Sequence, residues 1–162
     1  TEYPLIDFAV HTGEPPKFAA DPEQMRLLFY QLFTNAVRFR KDDQVKVFIS
    51  TEVLQLNQFR DVEGKYKYVD FLRVTVRDEG VGFDPKYKSQ AFELFKKLHP
   101  QSGRGVGLSL CKKIIDNHNG IISIDGRRGE DCIVTFYIPL KIADNDGIDI
   151  DASINHHKYP HE

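Results

Sequence analysis

Three glycines that alternate with other residues stand directly before a helix-like stretch of this sequence. They are Gly103, Gly105 and Gly107 in the segment GRGVGL, and the apolar pattern of a helix starts at Leu108. A glycine-rich loop that runs into a helix start exposes backbone N–H groups beside the positive end of the helix dipole, which suits a phosphate group. A flexible turn with a helix cap explains the same pattern, so the glycines alone leave both interpretations open.

The spacing of these glycines excludes two widespread phosphate-binding loops. The segment has no Gly-Lys-Ser or Gly-Lys-Thr ending, so it is not a P-loop, and the G-x-G-x-x-G spacing of dinucleotide-binding loops is absent. The residues before it, ELFKKLHPQS, do not have the pattern of a strand. A phosphate cradle at this position would be of another kind.

A second glycine pair follows a predicted strand. The segment DEGVGF places Asp78 at the strand end, with Gly80 and Gly82 just after it. A carboxylate held there can accept a hydrogen bond from a planar donor such as an adenine amino group, while the glycines let a ligand lie against the backbone. Ordinary turns have the same composition, so this motif is weak by itself.

Three polar residues share one edge of the first predicted helix. Gln31, Asn35 and Arg38 are four and three residues apart, which puts them on the same side of a helix. An amide oxygen can ligate Mg²⁺, and a guanidinium can bind phosphate oxygens. An ordinary polar flank is the alternative interpretation for this helix considered alone.

The helices that position these residues have clear apolar stripes. The first is predicted to start after Asp21 as N-cap, with Pro22 at the first helical position and Gln24 completing a capping box. Its stripe consists of Met25, Leu28, Phe29, Leu32, Phe33, Ala36 and Val37. The second long helix has the stripe Leu108, Cys111, Ile114, Ile115 and His118, and it is predicted to stop at Asn119-Gly120.

Strand patterns fill most of the remaining sequence. We predict strands at 4–11, 45–55 and 68–78, with a hairpin loop at 57–67 and a closing hairpin at 120–140. A loop at 79–88 and a short helix around 89–98 complete the order. This order predicts an α+β fold: a two-layer α/β sandwich whose mixed sheet is covered on one face by about three helices.

The composition sets limits on the class of protein. The chain has 162 residues, of which 41% are hydrophobic and 28% charged, with a net charge of -2, as in a single globular domain. There is no basic excess to indicate nucleic acid as a partner, and no apolar run long enough to span a bilayer, so no direct membrane contact is expected. Two distant cysteines, Cys111 and Cys132, indicate reduced thiols and a cytoplasmic location. The first residue is Thr1, so we expect a fragment of a longer protein.

Together these segments resemble a known family. YQLFTNAVRF, DEGVGF, FELF and GRGVGL, in this order, are similar to the N, G1, F and G2 boxes of the ATP-binding catalytic domain of bacterial sensor histidine kinases, within the GHKL superfamily. The resemblance covers roughly residues 4 to 140 and implies a Bergerat-type sandwich. It divides the chain into a catalytic domain at 1–141 and a polar C-terminal tail at 142–162.

The resemblance implies specific roles toward the cofactors ATP and Mg²⁺. Asn35 would be the metal ligand and Arg38 the basic residue near the phosphates, while Asp78 would accept a hydrogen bond from the adenine amine. The remaining nucleotide-binding residues implied are Phe39, Val81 and Leu108 as apolar walls, Gly80 and Gly82 under the base, and Gly103, Arg104, Gly105 and Gly107 around the triphosphate.

The reaction implied is transfer of the γ-phosphoryl group of Mg-ATP to a histidine on separate dimerisation helices, with a response regulator as partner of the full-length protein. Gln31 stands where hydrolases of the superfamily tend to have a glutamate, and a neutral amide cannot act as a general base. This favours a kinase over an ATP hydrolase. Gln31, Asn35, Arg38 and Lys97 are the expected catalytic residues.

Several residues depart from the family pattern. Arg104 stands where threonine is frequent, Lys97 where many kinases have arginine, and Cys132 where a small hydroxyl residue is usual. The segment between Phe95 and Gly103 is short, which implies a small lid over the ATP. A degenerate domain that binds nucleotide or partner helices without kinase activity is therefore the alternative function.

Overall fold

The computed structural model describes residues 5–12, 16–59, 66–93 and 107–140. Within these ranges the chain forms five strands, two α-helices and one 3-10 helix. The strands are β1 (Leu5–His11), β2 (Gln44–Phe59), β3 (Tyr66–Asp78), β4 (Ile121–Arg127) and β5 (Asp131–Pro139), and the helices are α1 (Pro22–Arg38), the 3-10 helix (Pro85–Gln90) and α2 (Gly107–Asn117).

The five strands form one mixed sheet in the order β1-β2-β3-β5-β4. β1 and β2 are parallel, and the β2–β3, β3–β5 and β4–β5 pairs are antiparallel. A parallel pair needs a crossover connection, which α1 provides. The α+β sandwich with a mixed sheet and helices on one face, predicted from the sequence, is confirmed.

The apolar stripes of both helices pack on the inner face of the sheet. Leu28, Leu32 and Ala36 of α1 are in the core together with Cys111 and Ile115 of α2. Ile114 is also a buried core residue, and Met25, Phe29, Phe33, Val37 and Leu108 pack against the core as partly buried residues. His118, the last member of the α2 stripe, is half-buried and bonds to Asp21. The two predicted stripes are confirmed. The sheet supplies the other half of the core through Val45, Val47, Leu72, Val74, Val76, Ile124, Val134, Phe136 and Ile138.

The predicted start of α1 is right for the cap and wrong for the capping box. Oδ1 of Asp21 accepts the N–H groups of Glu23 and Gln24, at 2.9 and 3.0 Å. The side chain of Gln24, however, donates to the carboxylate of Asp21 and does not accept the N–H of Asp21, as a capping box requires. The N–H of Asp21 instead donates to Nε2 of His118 at 3.0 Å, 97 residues away in sequence.

The two α-helices are therefore antiparallel neighbours tied at one end. Besides the bond to His118, Nδ2 of Asn117 donates to Oε1 of Gln24 at 3.0 Å. α2 stops where predicted, because Asn119 has a φ of 54° and the N–H of Gly120 donates to the carbonyl of Ile115 at 2.9 Å. The opposite end of the helix pair, with the start of α2, faces the second half of α1.

Two sequence-based boundaries differ from the structure. The hairpin loop predicted at 57–67 is wrong at both ends, since β2 and β3 continue to a Phe59–Tyr66 pair. Ladder hydrogen bonds join main-chain groups and do not depend on the side chains, so polar residues can extend a hairpin. The loop predicted at 79–88 is wrong in its second half, where a 3-10 helix starts at Pro85 because Asp84 caps it by accepting the N–H of Lys86. Of the short helix predicted around 89–98, residues 89 and 90 end this 3-10 helix and residues 91–93 form a turn and a bend. Residues 94–98 lie outside the described ranges.

Three further predictions concern the whole chain. Cys111 and Cys132 are both free, as expected, and Cys111 is buried. None of the helices described is long and apolar enough to cross a membrane. The polar tail predicted at 142–162 lies outside the described residues and stays a prediction.

Candidate active site

The polar edge of α1 meets the first residue of α2. A Cβ atom placed on Gly107 would lie 3.0 Å from Oε1 of Gln31 and 3.8 Å from both amide atoms of Asn35. Gln31 and Asn35 are partly buried, while Arg38, one turn further on, is exposed. The structure thus brings together Gln31, Asn35 and Gly107, which belong to two of the predicted motifs.

Phe39 connects this edge to the segment after β3. Its N–H donates to the carbonyl of Asn35 at 2.9 Å, and its own carbonyl accepts the N–H of Val81 at 2.8 Å. The loop 79–83 is therefore held against the C-terminal end of α1. Through this one residue, the Asn35 edge of α1 is linked to the loop that follows Asp78, although 43 positions separate Asn35 and Asp78 in sequence.

Asp78 lies at the end of β3, where its carboxylate is partly fixed by the loop that follows. Its Oδ1 atom accepts the N–H of Gly80 at 3.0 Å. A Cβ atom on Gly80 would lie 2.4 Å from the carbonyl oxygen of Phe39, so a larger residue cannot occupy this position without moving backbone. The glycine is thus required for the contact between the loop and α1.

The pKa of Asp78 is raised to about 6. Burial is the largest cause, and the N–H of Gly80 opposes it; Asp131 raises the pKa further, whereas Lys41 lowers it. A carboxylate that has lost much of its hydration gains from any donor that a ligand offers. An amino group of a base is such a donor.

Gly82 serves the packing of the same loop. Its φ is +76°, and a Cβ atom there would lie 2.0 Å from the carbonyl oxygen of Arg127. The N–H of Gly129, in the turn between β4 and β5, donates to the carbonyl of Val81 at 2.7 Å. The loop after Asp78 is consequently clamped between α1 and the β4–β5 turn. That Gly80 and Gly82 also make room for a flat base stays a prediction.

A positively charged cavity opens beside the exposed end of α1. It has a volume of about 590 Å³ and is lined by Arg38, Arg40, Lys41, Asp42 and Asp43. Arg38 therefore borders a space that an anionic group can enter, although Asn35 and Asp78 are not among the residues that line it.

The remaining predicted site residues divide into two groups. Phe39, Val81 and Leu108 are partly buried, and Leu108 packs against the core. Four others, Lys97, Gly103, Arg104 and Gly105, lie outside the described residues and stay predictions.

Sequence reasoning missed two charged residues that act on Asp78. Lys41 reaches across to the β4–β5 turn, where its Nζ donates to the carbonyl of Gly129 at 2.7 Å. Asp131 is 4% exposed at the start of β5. No sequence motif includes Lys41. Glu130 and Asp131, however, directly precede Cys132, a residue that departs from the family pattern, and this departure is a signal in the sequence.

The donor set of this site fits a magnesium-bound nucleotide. The amide oxygen of Asn35 is a hard oxygen ligand, and Mg²⁺ in nucleotide sites takes few protein ligands because it keeps waters and phosphate oxygens. Asp78 offers an acceptor at the other end, and the glycine at the start of α2 has no side chain that would lie between the helix N-terminus and Asn35.

Comparison with known proteins shows the family and the fold of the chain. The family model described as histidine kinase-, DNA gyrase B-, and HSP90-like ATPase matches residues 20–142. Cyanobacterial phytochrome A of Nostoc sp. (strain PCC 7120) is 33% identical over 133 residues, which are 80% of this chain and 16% of that protein. Sensor protein EvgS of Escherichia coli O157:H7 is 26% identical over 125 residues, 75% of this chain and 10% of that protein.

Solved structures show the same fold. The catalytic domain of histidine kinase ThkA superimposes with a TM-score of 0.63 at 28% identity, covering 83% of this chain and 80% of that one. The mycobacterial sensor histidine kinase MprB gives a TM-score of 0.64 at 18% identity, with 85% and 84% covered, which shows the fold alone.

The chain belongs to the histidine kinase-, DNA gyrase B- and HSP90-like ATPase family. Within that family it is an ATP-binding catalytic domain of the sensor histidine kinase type, with the fold of the ThkA catalytic domain. The chain spans only about a sixth or less of the curated relatives cited above.

Proposed function

We propose that this domain binds Mg-ATP and transfers its γ-phosphoryl group to a histidine on the dimerisation helices of a sensor histidine kinase. The observation that supports it most is the bridge through Phe39, which joins the Asn35 edge to the Asp78 loop by two backbone hydrogen bonds. One ligand with an adenine at one end and phosphates at the other spans such a site.

The base end of the nucleotide is assigned to Asp78. Its buried carboxylate accepts a hydrogen bond from the adenine amine, and this discriminates against bases that present an acceptor at the same place. Phe39, Val81 and Leu108 are the apolar walls. The bond from Gly80 keeps the carboxylate in place before the ligand arrives.

The phosphate end is assigned to Asn35, Arg38 and the start of α2. Asn35 would hold Mg²⁺, which when bound neutralises phosphate charge, and Arg38 would contact phosphate oxygens from the cavity it lines. Gly107 leaves space for the phosphates beside Asn35. Gly103, Arg104, Gly105 and Lys97 are assigned to the same end from their sequence positions.

Gln31 supports phosphoryl transfer over hydrolysis. Its Oε1 atom is directed to the start of α2, next to Asn35, where a water-activating group of a hydrolase would have to act. A neutral amide can orient a group there by hydrogen bonding but cannot take its proton. Phosphoryl transfer itself asks mainly for positioning and charge neutralisation, which these residues supply.

The partners follow from the same proposal. The acceptor histidine belongs to dimerisation helices of the parent kinase, and a response regulator would receive the phosphoryl group from that histidine. We place the domain in the cytoplasm, where ATP is available and where free thiols such as those of Cys111 and Cys132 persist.

Isothermal calorimetry with Mg-ATP tests the proposal. We expect a dissociation constant in the micromolar-to-millimolar range usual for enzyme substrates, much weaker binding with EDTA, and weaker binding of Mg-GTP. Absence of both heat and thermal stabilisation at millimolar Mg-ATP would contradict nucleotide binding. Transfer is then tested by incubating the domain and radiolabelled ATP with the dimerisation helices of its parent protein.

A further inference from the structure

Asp131 is a buried charge with no part in the proposed nucleotide contacts. It starts β5 and is only 4% exposed, the one charged residue among those described that is almost fully buried. Its Oδ1 atom accepts the N–H of Arg127 at 3.0 Å, and Oδ2 accepts Nη2 of the same residue at 3.2 Å. Nη1 of Arg77 lies 3.9 Å from Oδ2. A buried carboxylate with several partners fixes the conformation of the segment around it.

That segment is the β4–β5 turn, which clamps the loop after Asp78. The carbonyl of Asp131 accepts the N–H of Phe83 at 3.1 Å, and Gly129 in the turn donates to Val81. The bond from the Asp131 side chain to the N–H of Arg127 closes the turn at its base. The position of the Asp78 loop therefore depends on the conformation that Asp131 maintains.

Asp131 is also close enough to Asp78 to act by charge. Asp78 pairs with Cys132, the next residue of β5, across the β3–β5 ladder. After burial and the opposing bond from Gly80, Asp131 is the third cause that sets the pKa of Asp78, and it raises it. The pKa of the Cys132 thiol is likewise raised, by burial first and then by Asp78 and Asp131.

Among the described residues, one charged group besides Asp131 acts on the pKa of Asp78. Lys41, after α1, lowers its pKa from the side of the turn. On its own strand, Arg77 lies between Glu79 and Asp131, at 3.3 and 3.9 Å. The thiol of Cys132 remains neutral at ordinary pH, so Asp131 is the negative charge that β5 contributes.

We propose that Asp131 is a positioning residue for nucleotide recognition: it holds the β4–β5 turn against the Asp78 loop and places a second negative charge behind the adenine-binding carboxylate. The proposal rests on the role of Asp78 proposed above. Protonated Asp78 no longer offers a charged acceptor, so nucleotide affinity should weaken as pH falls through about 6. By raising the pKa of Asp78, Asp131 moves this loss of affinity to higher pH.

The test compares Asp131→Asn with Glu130→Gln. The asparagine keeps an acceptor for the N–H of Arg127 and removes the charge. Glu130 is a matched control because its exposed carboxylate pairs with the same Arg127, at 2.8 Å. Two quantities are measured from pH 5 to 8 for each protein: the dissociation constant of Mg-ADP, and the titration midpoint of the Asp78 carboxyl carbon by NMR without nucleotide.

We expect Asp131→Asn to lower the titration midpoint of Asp78, because a negative charge near it is removed, and to move the pH dependence of Mg-ADP affinity to lower pH by the same amount. Glu130→Gln should leave both unchanged. A midpoint unaltered by Asp131→Asn overturns the proposal, as does an equal shift in Glu130→Gln. Should Asp131→Asn not fold, Asp131→Ser, which also retains an acceptor, is compared in the same way. The NMR titration of Asp78 uses no nucleotide, so it gives a result even if Mg-ADP does not bind. The proposed function and this inference can therefore fail separately.

Discussion

Gly107 of α2 and Gln31 of α1 are in such close contact that a Cβ atom on the glycine would lie 3.0 Å from Oε1 of the glutamine. The contact places the start of one helix over the polar edge of the other. It is possible because the helices are antiparallel, with Asn117 and His118 bonded to Gln24 and Asp21 at the far end.

Gly107→Ala should weaken nucleotide binding more than it affects folding. The added methyl group meets the end of a flexible side chain, so Gln31 can move, and alanine is a better helix former than glycine. The displaced amide then enters the space beside Asn35. We expect a Kd for Mg-ADP raised about threefold to tenfold by calorimetry, equivalent to about 1 kcal/mol, and a nearly unchanged Tm.

The control for this variant is Lys113→Ala, an exposed residue of α2. Lys113→Ala should alter neither the Kd for Mg-ADP nor the Tm. A Gly107→Ala variant that binds like the unmodified protein would show that the space between Gly107 and Asn35 is not used by the ligand.

Gly82→Ala and Gly129→Ala form a matched pair. Both glycines have positive φ, +76° and +82°, so both substitutions incur a conformational cost of about 1 kcal/mol. Only at Gly82 does the new Cβ also collide with backbone, 2.0 Å from the carbonyl oxygen of Arg127, whereas nothing lies within 4 Å at Gly129. Urea unfolding should show Gly82→Ala less stable than Gly129→Ala by about 2 kcal/mol or more. Equal losses would mean that the loop is not clamped by the β4–β5 turn.

Asp78→Asn should reduce the affinity for adenine nucleotides. The substitution replaces a charged acceptor by an amide, so the loss is on the order of a charged hydrogen bond, about 1.5–3 kcal/mol. Calorimetry with Mg-ATP measures it, and Asp84→Asn, at the cap of the 3-10 helix, is the control at another acidic loop position. Unchanged affinity in Asp78→Asn would show that the base lies elsewhere.

The same substitution should stabilise the domain at neutral pH. The pKa of Asp78 is raised in the folded state to about 6 from 3.8, so its ionisation opposes folding above pH 6 and ceases to do so below 3.8. At pH 7.5 Asp78→Asn should increase the free energy of unfolding, by at most about 3 kcal/mol. Urea titrations should show this difference shrinking as pH falls from 6 toward 4. A difference that is constant with pH would contradict the burial of the charge.

The helices and sheet were predictable because each has a local signal. The stripe from Met25 to Val37 identifies α1 and its buried face, and the chain order of strands and helices indicates the mixed sheet. The ends of the hairpin loop predicted at 57–67 were not predictable, since ladder pairing depends on main-chain hydrogen bonds to the partner strand and requires no particular side-chain pattern.

Long-range partners explain what else was missed in the site. The N–H of Asp21 donates to His118, and no local motif at Asp21 can indicate a partner 97 residues away. Gly80 and Gly82 were identified from the sequence as candidate site residues. Each must be a glycine because a Cβ atom there would collide with the carbonyl of Phe39 or Arg127, and only the fold brings these carbonyls near. The effect of Asp131 on the pKa of Asp78 likewise depends on a proximity that only the fold creates.

Convergence of Asn35, Asp78 and Gly107 on one magnesium-bound nucleotide is tested most directly by NMR titration of the ¹⁵N-labelled domain with Mg-ADP. The account predicts that the backbone amide signals of Asn35, Gly80 and Gly107 all shift and give one shared dissociation constant, while that of Lys113 does not move. Signals that shift in only one of the three segments, or that yield clearly different constants, would contradict it.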